Sequence, residues 1–175
     1  MNLLKNTKWH QKYWTDRKID WKQAYLDTWE HPHRNYIASI LARLDWNSLF
    51  EVGTGAGANL KNILSKFKGV QLGGCDVNKD AIALANDSFK GAFFKVCPAD
   101  DIMMSDNSVD VVLSDMCLIY YSNPHKAIEE MKRVARKHVL FCELHSYTWY
   151  GRMKLLFKSG YHAHNYKKLL EKHGF

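Results

Sequence analysis

Short apolar runs alternate along the chain with stretches whose apolar positions recur every three or four residues, and the alternation begins near residue 48. Runs at Ser48–Val52, Val70–Cys75, Ala92–Val96, Asp110–Ser114 and His138–Cys142 are β-branched or aromatic and too brief for helices, so they predict five strands. Gly57–Phe67, Lys79–Phe89 and His125–Arg136 carry the helical period between them, while a loop with no clear helix joins the third run to the fourth. Strands separated by helices run parallel, and both faces of their sheet are then covered. The expected architecture is α/β, a doubly wound, mostly parallel sheet with helices on both faces and a ligand at the carboxyl ends of its strands.

The first forty-odd residues are aromatic and contain no strand-like run: Trp9, Tyr13, Trp14, Trp21, Tyr25, Trp29 and Tyr36. Tyr13/Trp14, Trp21, Tyr25 and Trp29 recur at helical intervals, which predicts a packed helical face, with one helix over Asp20–Glu30. Pro32 cannot continue that helix but can begin another, expected over His33–Arg43. Beyond the last strand, Tyr147 to Phe175 reads as helical and basic without a further strand. One domain over 1–175 follows: a helical cap over 1–45, a core over 46–145, and C-terminal helices over 146–175.

Composition narrows the function classes. No apolar run approaches the roughly 18 residues needed to span a bilayer, and the start MNLLKNTKWHQKYW is too polar for a secretory leader, so the cytoplasm is expected and a membrane partner is not. Cys75, Cys97, Cys117 and Cys142 form no CxxC pair and read as buried, reduced thiols. His31/His33 and His162/His164 have HxH spacing without an evident third ligand, so no metal is expected. The net charge of +7 favours an anionic partner, although the lysines are spread rather than blocked.

The chemistry concentrates at FEVGTGAGANL, where a strand, a glycine turn and a helix follow one another. Glycines permit close backbone approach, and the helix N-terminus beyond them offers free N–H groups and partial positive charge. A phosphate-cradling loop would need a lysine followed by Ser or Thr, which this turn lacks. Gly53, Gly55 and Gly57 with Ala58 satisfy the dinucleotide fingerprint, and Asp76 follows at the distance of a ribose-binding acid. A nicotinamide enzyme would need further chain for its substrate, and Glu51 would face a pyrophosphate unfavourably.

These residues, together with GGCDVNKDAI, DDIMMSDNSVDVVLSDMCLIYY and AIEEMKRVARKHVLFCE, resemble the class I, Rossmann-like S-adenosylmethionine-dependent methyltransferases over roughly Leu49 to Glu143. The resemblance implies a sheet of order 3-2-1-4-5 and S-adenosylmethionine as cofactor. It implies that Glu51, Gly53, Thr54, Gly55, Gly57 and Asn59 hold the methionine moiety, that Asp76 binds the ribose diol, and that Val77 lies beside adenine. Asp100 or Asp101 with Ile102 would contact adenine, and Ser114, Asp115 and Met116 would begin the loop facing the methyl group. CPADD stands where the family has a GDA-like triplet, and RVARKH replaces a glycine-containing turn before the fifth strand. The family continues beyond a Gly-Phe like Gly174-Phe175 into two more strands, so a minimal sheet or a truncated form is expected, with the fifth strand as an edge open to pairing.

In-line methyl displacement needs position and desolvation more than an obligatory catalytic group. Tyr120, Glu143 and His145, beyond the fourth and fifth strands, are the candidate bases, with Asp115 and Tyr121 beside them. Tyr13, Trp14 and Arg17 are expected to close over the cofactor, and His31 or Arg34 to lie near its carboxylate. The loop SDMCLIYYSNP lacks the tetrad of amino-methylating DNA enzymes, so the favoured acceptor is a small molecule, anionic or aromatic. A nucleic-acid methyltransferase and a catalytically silent cofactor-binding subunit are the alternatives, and the oligomeric state stays open.

Overall fold

The computed structural model describes residues 6–175. The first five residues of the expected cap, and of the start that argued against a leader, lie outside the described residues. Five strands, β1 (Ser48–Val52), β2 (Gln71–Asp76), β3 (Phe93–Val96), β4 (Val109–Asp115) and β5 (Ala135–Cys142), form one parallel sheet of order β3-β2-β1-β4-β5. Every residue of β1 is buried, as a central strand covered on both faces requires.

Side-chain alternation along the strands divides the core in two. Leu49, Leu72, Val111 and Leu113 point into a cluster containing Ile37, Leu41, Leu60, Ile63 and Ile82. Phe50, Val52, Cys75 and Val112 point the other way, into one containing Leu118, Ile128, Met131 and Tyr166. The elements covering the first face are α3 (Pro32–Leu41), α4 (Ala58–Lys66) and α5 (Lys79–Ser88), and those covering the second are α6 (His125–Val134) and α8 (Tyr166–Lys172). The elements α1 (Thr7–Asp16) and α2 (Trp21–Ala24) precede them, and α7 (Trp149–Ser159) lies between β5 and α8.

One expected helix and one expected strand differ. The helix foreseen over Asp20–Glu30 breaks after one turn at Tyr25 (φ −129°) and resumes as a 3-10 turn over Leu26–Thr28. Tyr25 packs beside Trp21 with ring centroids 5.1 Å apart, as residues at i and i+4 of a helix do, but Trp21 and Leu26 are both buried, and a continuous helix would set that pair about 140° apart. The tail forms two helices, because Gly160 ends α7 in a left-handed cap and the chain returns extended, with His164 bridging His145. β5 begins three residues earlier than its apolar run, directly after α6 and with no connecting loop.

The cap formed by α1 and α2 is fastened to the sheet layer by one buried side chain. Asn78 Nδ2 donates to the Trp14 and Arg17 carbonyls (2.7 and 2.9 Å), and its Oδ1 accepts from the Asp80 and Ala81 N–H groups, capping α5. At the far side, Gln11 Nε2 donates to Asp100 Oδ1 (3.1 Å), and Thr7 Oγ1 accepts from Ser122 N.

Gly57 shows how tightly α4 is seated. Its φ is +87°, and a Cβ there would lie 2.5 Å from Phe89 Cε2. Gly57→Ala therefore combines backbone strain with overpacking and should lower stability by about 2 kcal/mol or more in urea unfolding; adding Phe89→Leu should recover part of the loss.

Candidate functional site

Registration of the parallel strands brings their carboxyl ends level. Val52 pairs with Cys75 on one side and Ser114 on the other, so the residues that follow, Gly53, Asp76 and Asp115, meet at one edge. A cavity of about 290 Å³ opens there. Of the residues singled out in the sequence, Trp14, Arg34, Glu51, Gly53, Thr54, Gly55, Asn59, Asp76, Val77, Asp115, Met116 and Tyr120 line it.

The glycine turn shapes its floor. A Cβ on Gly53 would meet Cys117 Sγ at 2.6 Å, so only glycine lets the β1 turn pack against the loop after β4. A Cβ on Gly55 would meet nothing nearer than the Trp21 ring at 3.9 Å, because that position faces the cavity. Gly57 belongs to packing instead, against Phe89, and does not line the cavity. The N-terminus of α4 has no side-chain cap, so Ala58 and Asn59 present its positive end to the cavity.

Four elements are tied together at this end. Glu51 is buried, and its two oxygens accept from Thr54 Oγ1 (2.7 Å) and Asn59 Nδ2 (2.5 Å). Burial pushes its carboxyl up to about 7 despite those bonds. Asn59 Nδ2 also donates to Asp115 Oδ2 (2.9 Å), and Asn59 Oδ1 accepts from Arg34 Nη1 (2.6 Å), which lies 3.8 Å from Asp115 Oδ2. His33 Nε2 is 3.0 Å from the same Asp115 oxygen, and its Nδ1 is 2.6 Å from His31 Nδ1. Asp115 Oδ1, in contrast, is buried with no hydrogen-bond partner among the described residues. Met116, the next residue, adopts a left-handed conformation (φ +53°) that turns the chain along the cavity wall.

Asp76, at the end of β2, accepts from Gly55 N and Asn78 N, both at 2.9 Å. Burial raises its carboxyl above the usual range, and the N–H bonds oppose that rise. Each oxygen keeps a further lone pair for a hydroxyl donor.

Other expectations fall outside the cavity. Asp100 is half-buried beside it, accepting from Gln11 and the Tyr121 hydroxyl, whereas Asp101 is exposed. Ile102 faces α6, its N–H donating to Glu130 and its carbonyl accepting from Arg133. Ser114 donates to Glu143 Oε1 (2.6 Å), an oxygen that also accepts from Cys117 N and Leu118 N, so both residues hold the loop rather than face the cavity. His145 is exposed at the surface, accepting from Tyr166 N. Tyr120 does line the cavity, but burial raises its hydroxyl above the ordinary phenol value, which keeps it protonated and unsuited to act as a base. Tyr13 and Arg17 stack outside, and His31 reaches the cavity only through His33.

The structure adds residues that were not among the expected site residues. Gln11, Tyr25, His33, Cys97, Pro98 and Tyr161 line the cavity from five separate segments. Trp14, Tyr120 and Tyr161 form a ring wall, with centroids 5.4 Å (Trp14–Tyr120) and 5.7 Å (Tyr120–Tyr161) apart and planes near perpendicular. The arrangement offers an acid for a diol, an unpartnered carboxylate oxygen beside a guanidinium, and an aromatic wall.

Residues 50–142, more than half the chain, match the family model described as a methyltransferase domain. The chain belongs to this family. S-adenosylmethionine is the methyl donor of methyltransferase domains of this kind, and the structural neighbours bear out the five-stranded Rossmann-like fold. The methyltransferase bound to a methyltransferase activator in a Haloferax volcanii complex is 21% identical with a TM-score of 0.68, covering 94% of this chain and 75% of its own. A Galdieria sulphuraria protein described as a sarcosine dimethylglycine methyltransferase is 16% identical with a TM-score of 0.64, covering 81% of this chain and 60% of its own. A Haemonchus contortus phosphoethanolamine N-methyltransferase, bound to phosphomonomethylethanolamine and S-adenosylhomocysteine, is 16% identical with a TM-score of 0.73, covering 95% of this chain and 44% of its own. At these identities the likeness is one of fold, and the chain spans well under two thirds of several neighbours. No curated protein sequence matches it.

Glu143 provides a pH test of this loop anchor. Burial raises its carboxyl to about 7, and its Oε2 has no partner. The folded protein therefore binds a proton more tightly than the unfolded chain, and the associated stability, full below about pH 4.5, is lost as pH rises through about 7. Glu143→Gln keeps an acceptor at Oε1 and stays neutral. It should melt higher than the parent near pH 8.5, by roughly 2–4 °C for each kcal/mol relieved, and match it near pH 5.

Proposed function

We propose that this methyltransferase domain moves the methyl group of S-adenosylmethionine to a small-molecule acceptor by in-line displacement. The observation that carries the reading is the meeting of Asp76, Asp115 and Arg34 at one cavity, each with capacity left for a ligand. The cofactor would supply a carbon already activated by a positively charged sulfur.

Asp76, oriented by two N–H groups, would accept both ribose hydroxyls. The unpartnered Asp115 Oδ1 would accept from the α-ammonium group, while Arg34 and the N-terminus of α4 hold the α-carboxylate. Glu51 would act one step back, fixing Thr54 and Asn59, with Gly53 and Gly55 giving the ligand backbone access. Val77 and Pro98 would bound adenine, with Asp100 as the nearby acid. Trp14, Tyr120 and Tyr161 would exclude water beside the methyl and favour a planar or apolar acceptor. A cavity covered by α1 suits a free small molecule better than a polymer. The four free cysteines suit a reducing compartment, and we place the protein in the cytoplasm.

A second reading, cofactor binding without turnover, draws on the position of Glu143 and His145 outside the cavity and on the protonated state of Tyr120. Calorimetry with S-adenosylhomocysteine and transfer of labelled methyl to an acceptor panel separate the two. Asp76→Ala should weaken S-adenosylhomocysteine binding by roughly 10–100-fold and Arg34→Ala by about tenfold, as expected for lost hydrogen bonds to charged groups. Unchanged affinity in both variants would overturn the assignment, and tight binding with no labelled product would select the second reading.

A further inference from the structure

Helix α7 presents an apolar face whose three rings are exposed and whose Met153 and Leu156 are half-buried. Trp149, Met153 and Phe157 follow one another at four-residue intervals, with Tyr150 and Leu156 beside them, so five apolar side chains share a stripe about 120° wide. None of the helix's residues is buried. Trp149, Tyr150 and Phe157 are 68%, 72% and 61% exposed, and Tyr147, just before the helix, is 71% exposed. Isolated exposed aromatics are ordinary, but four within eleven residues make a contiguous patch.

The charge around the patch identifies what it meets. Lys154 and Lys158 are exposed along one flank of the stripe. From Tyr147 to the last residue the chain carries six Lys and Arg against a single acid, Glu171. A convex helix with Trp, Tyr and Phe on one side and lysines on its border has the pattern of a helix that lies in the headgroup layer of an anionic bilayer. Nucleic acid would call for basic side chains facing the ligand, whereas here the rings project furthest and the lysines flank them. Gly160 ends α7, and the next residue, Tyr161, is in the cavity wall against Tyr120, so α7 is joined directly to that wall.

We infer that α7 is a peripheral docking surface for anionic lipid bilayers. No membrane partner was expected from the length of the apolar runs, and among the described residues no helix is long and apolar enough to cross a bilayer. Docking in the plane of the surface needs only the exposed stripe and its lysines.

The test is flotation of the full chain with phosphatidylcholine vesicles, with and without admixed phosphatidylglycerol, alongside the triple variant Trp149→Ala, Tyr150→Ala, Phe157→Ala. Those side chains are exposed, so circular dichroism and S-adenosylhomocysteine binding should match the parent, which separates this inference from the proposed methyl transfer. The parent should float with the phosphatidylglycerol vesicles and little with phosphatidylcholine alone. The bound fraction should fall on the order of tenfold in the triple variant, and Lys154→Glu with Lys158→Glu should also weaken it. Failure of the parent to float with phosphatidylglycerol vesicles, or equal flotation of the triple variant, would overturn the inference. A dimer in sedimentation that the triple variant dissolves, without vesicle binding, would overturn it in favour of a second copy. Retention on RNA or DNA that depends on the lysines but not the rings, again without vesicle binding, would overturn it in favour of nucleic acid.

Discussion

Glu51 has almost no access to water, and an acid in that position forces its neighbours to supply donors. Thr54 and Asn59 do so, and each is thereby held: Thr54 in the glycine turn, Asn59 in the first turn of α4. Asn59 passes the constraint on, since its amide also faces Asp115 on β4 and its carbonyl oxygen faces Arg34 on α3. A single buried carboxyl thus fixes the relation of β1, α4, β4 and α3 at the carboxyl edge of the sheet. The polar end of the cavity is a by-product of satisfying it, which leaves Asp115 Oδ1 as the group with unused capacity.

Glu143 repeats the device two strands away, just past β5. There the donors are Ser114 and two backbone N–H groups, so the acid shapes the loop after β4 instead of facing the cavity. Both glutamates lie near the carboxyl ends of apolar runs and cannot be told apart by composition. What separates them is sheet position, with Glu51 on a central strand beside a helix N-terminus and Glu143 just past the edge strand.

That difference marks how much was legible in the amino-acid order. Period-2 and period-3.6 patterns gave the five strands and the three helices between them, because Leu49/Phe50 and Val111/Val112 alternate between two cores that each need a helical cover. Glu51, Gly53, Gly55 and Asp76 were legible because they lie at or just beyond the carboxyl ends of strands at a fixed spacing. His33, Gln11 and Tyr161 were not, since they reach the cavity from α3, α1 and the segment after α7, and no local pattern records where those segments dock. The break at Tyr25 was hidden for the same reason: the intervals of Trp21 and Tyr25 are helical, and only burial of Leu26 as well forces the turn to end.

Asn78 gives the cap a thermodynamic role. One buried amide joins α5 to the carbonyls of Trp14 and Arg17, and Trp14 in turn is part of the cavity wall. Order in the cap and occupancy of the cavity are therefore linked functions. Whatever contacts Trp14 from within stabilises the cap by the amount that an ordered cap adds to its affinity, and the linkage is reciprocal. The chain's first helices thus act as a reporter of what the sheet edge holds, readable in amide exchange far from any reacting atom.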